Sequence, residues 1–216
     1  NVDMFACITE FQKKKLIEAG YDKNKITVIP NSIDAPCSYT PTSGEYIAYI
    51  GRLSYEKGYD LLVEVARKHP EIKFCFAGAQ REKNNTEIPK NVEFKGYLQK
   101  KELSKFIQES RFIVIPSRCY EGFPMAILEA ACHGKPAIAP NHGGFTEIIG
   151  QGENAIGKLF EPSNTDDLDK QIAELWNNQT LTEELGEKAF KKLKKHYDSE
   201  VVYKQWETLF SKLKNS

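Results

Sequence analysis

The sequence predicts an α/β fold, a doubly wound parallel sheet of the Rossmann-like kind. Three observations lead there. Short apolar runs rich in Val, Ile, Phe and Ala recur from residue 46 onward, and each reads as a strand buried on both faces. Segments with helical spacing of apolar residues separate these runs, so strand and helix alternate. Glycine-bearing or charged loops follow the strands, at the carboxyl ends where sheets of this kind bind ligands.

Taken in order, residues 4–9 (MFACIT) read as a strand. Residues 10–19 read as a helix, with Phe11, Leu16 and Ile17 apolar and Gly20 ending it. The Lys13-Lys14-Lys15 run reads as a solvated helix face, because no large apolar face accompanies it. Residues 25–29 form a second short strand, and the Pro-, Ser- and Thr-rich stretch over residues 30–44 reads as a linker. One strand, one helix and one more strand cannot bury their own faces, so the chain opens in mid-fold. The expected strands are then 46–50, 73–77, 92–95, 112–115, 136–139 and 158–160. Helices are expected to start near Gly58, Lys101, Pro124 and Thr146, and another, capped by Asn164 or Thr165, to run through Asn177. Residues 181–214 are expected to be helical with a break near Tyr197-Asp198.

Composition narrows the classes. A chain of 216 residues suits one domain, or one domain plus a piece of another. With 30 basic and 30 acidic residues there is no broad basic field, which argues against a nucleic-acid partner. No apolar run approaches the ~18 residues of a membrane span, and no signal-peptide pattern is present. The five cysteines are scattered, Cys7 and Cys75 lie inside strand patterns, and there is no C-x-x-C. Thiols acting as small core residues in a reducing, cytoplasmic setting are the expectation. The sequons at Asn84-Asn85-Thr86 and Asn178-Gln179-Thr180 are then read as chance matches.

Residues 117–134, SRCYEGFPMAILEAACHG, hold the densest chemistry. They follow the apolar run 111–116 (RFIVIP), so strand, loop and helix succeed one another. Pro124 suits the first helical position and Gly134 the end. Such a helix N-terminus suits a phosphate or sugar oxygen. The loop carries Glu121, and the helix carries Glu129 about 8 Å further along the axis at roughly 1.5 Å per residue. Both carboxylates can accept hydrogen bonds from hydroxyls. The spacing suits a ligand with phosphates in the middle and a hydroxyl-rich ring at each end, the shape of a nucleotide sugar. Upstream, Gly51-Arg52-Leu53-Ser54-Tyr55-Glu56-Lys57-Gly58 holds two cations on one short loop. Arg forks onto phosphate oxygens and Lys adds a point charge; in isolation the same loop reads sooner as solvated surface than as a phosphate site.

The pattern PSxxxEGFPxxxLEAxxxGxP, with Glu121 and Glu129 in E-x7-E spacing, closely resembles the signature of retaining glycosyltransferases of the two-Rossmann-domain (GT-B) type. That family includes sucrose synthase and bacterial mannosyltransferases. The GRL…KG loop matches the family's two diphosphate-binding cations. VDMFACITEFQKKKLIEAG followed by KITVIPNSID resembles the end of the family's N-terminal domain and its hinge. The resemblance therefore divides the chain into residues 1–34 (tail of the N-terminal domain and hinge), 35–44 (linker), 45–198 (nucleotide-sugar-binding Rossmann-like domain) and 199–216 (C-terminal helix). That last helix, with Trp206, Leu209 and Phe210, either packs toward the N-terminal domain or closes its own domain's core. Most of the acceptor-binding half is expected to be absent.

The same resemblance implies roles. Arg52 and Lys57 stabilise a leaving diphosphate, Glu121 holds the donor sugar's hydroxyls with the backbone of Gly122 and Phe123, and Glu129 holds the ribose. Gly51, Gly78, Pro124, Gly143 and Gly144 join the donor site. The backbone after the third strand, at Lys95, Gly96, Tyr97 or Leu98, meets the base. No metal or other cofactor is implied, since the cations and helix N-terminus supply the charge. His142 is read as a solvated turn residue and Glu147 as a first-turn acid suited to its helix dipole.

Other chemistries fit less well. Asp167-Leu168-Asp169 is a literal D-x-D, but it falls in the first turn of an expected amphipathic helix, where acids are favoured anyway. His69, His133, His142 and His196 show no paired metal-ligand spacing. A hydrolase would need its two carboxyls ~5–9 Å apart across one bond, and the cationic loop favours a phosphate leaving group instead. The expectation is the donor-binding half of a retaining glycosyltransferase, inactive alone, working with an N-terminal domain in cis. Sugar, base and acceptor are open, as is peripheral attachment of the full enzyme to a membrane face. The alternatives are a non-catalytic nucleotide-sugar-binding subunit and, more remotely, a nucleotide-sugar epimerase.

Overall fold

The computed structural model describes residues 2–80 and 87–214; the sequon at Asn84 lies outside them. The chain begins with β1 (Phe5–Cys7), α1 (Glu10–Glu18) and β2 (Ile26–Val28), whose two strands pair in parallel. Thr9 caps α1, its side chain accepting from the Gln12 N–H.

The remainder alternates as expected: β3 (Tyr46–Ile50), α2 (Tyr59–Lys68), β4 (Phe74–Ala77), β5 (Val92–Gly96), α3 (Lys100–Glu109), β6 (Ser110–Val114), α4 (Met125–Ala131), β7 (Ala137–Pro140), α5 (Gly143–Ile149), β8 (Gly157–Phe160), α6 (Thr165–Asn177), α7 (Gln179–His196) and α8 (Ser199–Lys214). Six strands form one parallel sheet in the order β5-β4-β3-β6-β7-β8. The chain winds outward from β3 to β5, returns to β6 beside β3, and winds the other way to β8. The crevice where the winding reverses lies at the carboxyl ends of β3 and β6.

Alternation along each strand explains why both faces are covered. Ile47, Tyr49, Phe74, Phe76, Phe112 and Val114 pack with α2 and α6 on one side. Ala48, Cys75, Ala77, Ile113, Ala137 and Ala139 pack with α3, α4, α5 and α7 on the other. The small residues on this second face let the helices approach closely. Cys7, Cys75 and Cys132 are buried free thiols, and burial pushes Cys75 and Cys132 up to about 11. On the edge strand β5, Glu93 takes Lys73 and Lys95 as partners, and such charges discourage pairing with another chain.

One expectation here needs correction. The helix placed near Thr146 begins three residues earlier, because His142 is extended at φ −153° and Gly143 at φ +58° turns the chain straight into α5. The linker stretch is anchored at several points. Thr42 donates to the Gln108 carbonyl, Tyr39 lies 4.9 Å from Phe190, and Lys135 Nζ donates 2.7 Å bonds to the Thr42 carbonyl and hydroxyl. The expected break near Tyr197 has a cause: the chain at Ile33 passes through it, with Ile33 N–H donating to Tyr197 O and Ser199 N–H to Ile33 O. In α8 only Val202 is buried. Tyr203 and Trp206 line a cleft with Ile8 and Ile29, so α8 lies along the first segment. Among the described residues no helix is long and apolar enough to cross a membrane.

Lys135 is 3% exposed, and burial pushes its pKa down to about 8. The unfolded chain binds that proton up to about pH 10.4, so stability rises with pH between those values. Relative to Lys135→Met, the wild-type chain should gain roughly 3 kcal/mol between pH 8 and 10.5, measured by urea unfolding across that range.

Candidate functional site

The crevice is built from the loops after β3 and β6. After β3, Ser54 leads into one 3-10 turn, Tyr55–Lys57, ended by Gly58 in the left-handed region at φ +69°. A Cβ at Gly58 would overlap the Pro116 carbonyl oxygen, so only glycine lets this turn lie against the strand-end of β6. Gly78, after β4, similarly meets the Gly51 carbonyl with no room for a side chain. The loop after β6 runs beside the turn, and Lys57 Nζ sits 2.7 Å from Glu121 Oε1 with both side chains about three-quarters buried, at 24% and 22% exposure.

Arg118 ties the two loops. Its guanidinium forks onto both Asp60 oxygens at 2.7 Å and donates to the Tyr55 carbonyl at 2.7 Å. Its own N–H donates to the Glu56 carbonyl at 2.9 Å. Arg52, on the same loop, lies 3.3 Å from Glu56 and is 43% exposed.

The glycine pair meets the same loop. The Gly144 N–H donates to the Glu121 carbonyl at 3.0 Å, and Gly143 packs beside Tyr120 and Glu121. Gly122 is covered by the Gln12 side chain, while Phe123 is buried against Tyr197. Pro124 serves as N-cap rather than first helical residue, at ψ 92°. It still accepts from the Ile127 N–H. The helix α4 spans only 7 residues, extended by turns to Gly134 at φ +62°.

Glu129 faces a cavity of about 600 Å³ that it lines with Leu98, Tyr97, Lys100, Ser104 and His133. Burial alone raises its pKa, and among the described residues its carboxylate has no hydrogen-bond or ion-pair partner. Such an acceptor suits hydroxyl donors from a ligand. Leu98 thus joins Glu129, whereas the Lys95 side chain is held by Glu93 on the exposed edge strand.

His142 and Glu147 depart from the expected roles. The His142 ring is wedged edge-on between Tyr120 and Phe145, and neither of its buried nitrogens makes a hydrogen bond of good geometry. Burial lowers its pKa, with the nearby Ser117 backbone opposing, so the ring is neutral at pH 7. Glu147 caps a different helix from its own: its carboxylate accepts from the Glu10 and Phe11 N–H groups of α1, at 3.1 and 3.2 Å. Phe11 in turn stacks on Tyr120 at 5.6 Å. No local signal in the sequence announces Arg118, Asp60, Gln12 or Glu147, since each acts across 58 residues or more. Asp167 accepts from the Glu161 N–H and Asp169 bonds His69, so the D-x-D acids turn to different partners.

The chain is similar to known proteins over most of its length. The profile described as glycosyl transferases group 1 matches residues 38–192. Over 195 residues the chain is 32% identical to an uncharacterized glycosyltransferase of Methanocaldococcus jannaschii, covering 87% of this chain and 53% of that protein. It is 27% identical over 219 residues to the poly(ribitol-phosphate) alpha-N-acetylglucosaminyltransferase of Staphylococcus aureus, covering 94% of this chain and 43% of that one. Its fold is similar to that of Anabaena HepE crystallised with UDP-glucose, with a TM-score of 0.83 at 19% identity over 97% of this chain and 64% of that one. The chain spans about half the length of the curated relatives it matches. With the profile covering most of its length and a Rossmann-like sheet matching the GT-B enzymes, the chain belongs to the group 1 glycosyl transferases.

Proposed function

We propose that this chain is the donor-binding half of a retaining glycosyltransferase. It holds a nucleoside-diphosphate sugar in the β3–β6 crevice, for transfer to an acceptor carried by an N-terminal domain in cis. The observation that carries the reading is the Lys57–Glu121 contact at 2.7 Å, which joins a phosphate-type cation to a hydroxyl-type acceptor at the switch point of the sheet. The division of labour we propose is the one the family resemblance implies. Lys57 and Arg52 take the diphosphate and offset charge as it leaves. Glu121 holds the sugar hydroxyls, with Gly122, Phe123, Gly143 and Gly144 shaping the backbone around it. Glu129 holds the ribose at the mouth of the cavity, and Leu98 and Tyr97 flank the base. The HepE structure with UDP-glucose supports a uracil nucleotide as the first ligand to try.

Calorimetric titration with a panel of nucleoside diphosphates and their sugars tests this. Selective binding, lost in Glu129→Ala and weakened in Arg52→Ala, is expected. A folded chain that binds no member of the panel at millimolar concentration, alone or joined to its N-terminal domain, overturns the reading.

A further inference from the structure

We propose that Arg118 is a positioning residue for the diphosphate cations, a role that rests on the donor-site reading above. Lys57 is useful only if its short turn is held at one place, and the turn's own bonds, Lys57 N–H to the Ser54 carbonyl and Gly58 N–H to the Tyr55 carbonyl, shape it without anchoring it to the loop after β6. Arg118 grips it from both sides. Before Lys57 it bonds the carbonyls of Tyr55 and Glu56; after Lys57 it forks onto Asp60 at the start of α2. Its guanidinium also lies 3.9 Å from the centre of the Tyr55 ring, and Ser117 Oγ adds a 3.4 Å bond to the Glu56 carbonyl. The Arg118 side chain is only 17% exposed. Nη1 and Nη2 are both engaged, by Asp60 and the Tyr55 carbonyl, so the side chain is placed to hold the turn. It sits three residues before Glu121. One side chain therefore fixes the separation between the cation that meets phosphate and the carboxylate that meets sugar.

This role separates cleanly from a simple charge effect. Arg118→Leu removes a positive charge near the crevice, and Asp60→Asn removes a negative one. A field acting at a distance would weaken UDP binding in the first variant and strengthen it in the second. A strut predicts weaker UDP binding in both, by about tenfold, and no further loss in the double variant, because the two side chains act as one unit. Uridine, which reports the cavity at Glu129 without the phosphates, should bind all variants as it binds the wild type. Calorimetry with UDP and uridine on the 216-residue chain reads both ligands, with thermal unfolding alongside. If Arg118→Leu does not fold, Arg118→Lys carries the same test, since lysine keeps the charge but loses the fork. Tighter UDP binding in Asp60→Asn, or equal losses for UDP and uridine, overturns the proposal. A wild-type chain that binds uridine as well as UDP instead overturns the donor-site reading, and this role with it.

Discussion

Substituting methionine for Lys57 is expected to lower turnover of the complete two-domain enzyme we propose by about 10²–10³-fold, the scale for removing one preorganised charge from a transition state. Steady-state transfer assays on that enzyme measure it, and kcat should fall far more than KM rises. The reason lies in where the cation stands before any ligand arrives. It is 2.7 Å from Glu121 and about three-quarters buried, so it is preorganised but already partnered. An incoming diphosphate has to take Lys57 from Glu121, and Glu121 is then free to accept from sugar hydroxyls. Glu121→Gln should consequently bind UDP without sugar at least as tightly as the wild type, because the competing carboxylate is gone. The same variant should lose turnover. Markedly weaker UDP binding in Glu121→Gln would sink this exchange of partners.

The second large effect is expected at Glu129, where stability and binding should move in opposite directions. The carboxylate is held partly out of water with no partner among the described residues, and burial alone raises its pKa. Its ionised form therefore costs stability. That cost is absent below the unfolded chain's value, grows as pH rises toward the raised folded value, and is complete above it. At neutral pH Glu129→Gln should raise the melting temperature of the unliganded chain. It should also weaken UDP and uridine alike by about 10–100-fold, the range for a hydrogen bond to a charged group. In the wild type, affinity for uridine should fall as pH drops through the raised pKa, at a higher pH than an exposed glutamate would show. Scanning calorimetry and titrations from pH 4 to 8 check both arms. A melting temperature that falls with the substitution would mean that Glu129 is a structural acid, not a waiting ligand contact.

How much of this was legible beforehand differs by level. The strands were, because apolar runs such as YIAYI and RFIV have to be buried on two faces, and their ends fell within two residues of expectation. The loops after β3 and β6 were legible too, since glycines and charged residues cluster there. What could not be read was who meets whom. Arg118 stood among the unspecified positions between Ser117 and Glu121, and only folding brings Asp60 to it. His142 looked solvated because a turn residue usually is, yet Tyr120 arrives from another loop to close over it. Glu147 suited its own helix in any local view, but α1, 136 residues earlier in sequence, supplies the N–H groups it accepts from. These are tertiary contacts between residues far apart in sequence, which local periodicity does not encode. The start of α5 was missed for a smaller reason: two glycines looked like loop, and Gly143 used its left-handed freedom to begin the helix early.

The passage of Ile33 through the break between α7 and α8 has a mechanical consequence. Two hydrogen bonds clip the chain there to Tyr197 and Ser199. The strand leading out of the first segment and the root of the last helix therefore share one pivot. A force on either is felt by the other at that point, while α1 stays tied to the sheet domain through Glu147 and Tyr120. The two crossings thus form a double connection, stiffer against twist than a single covalent one.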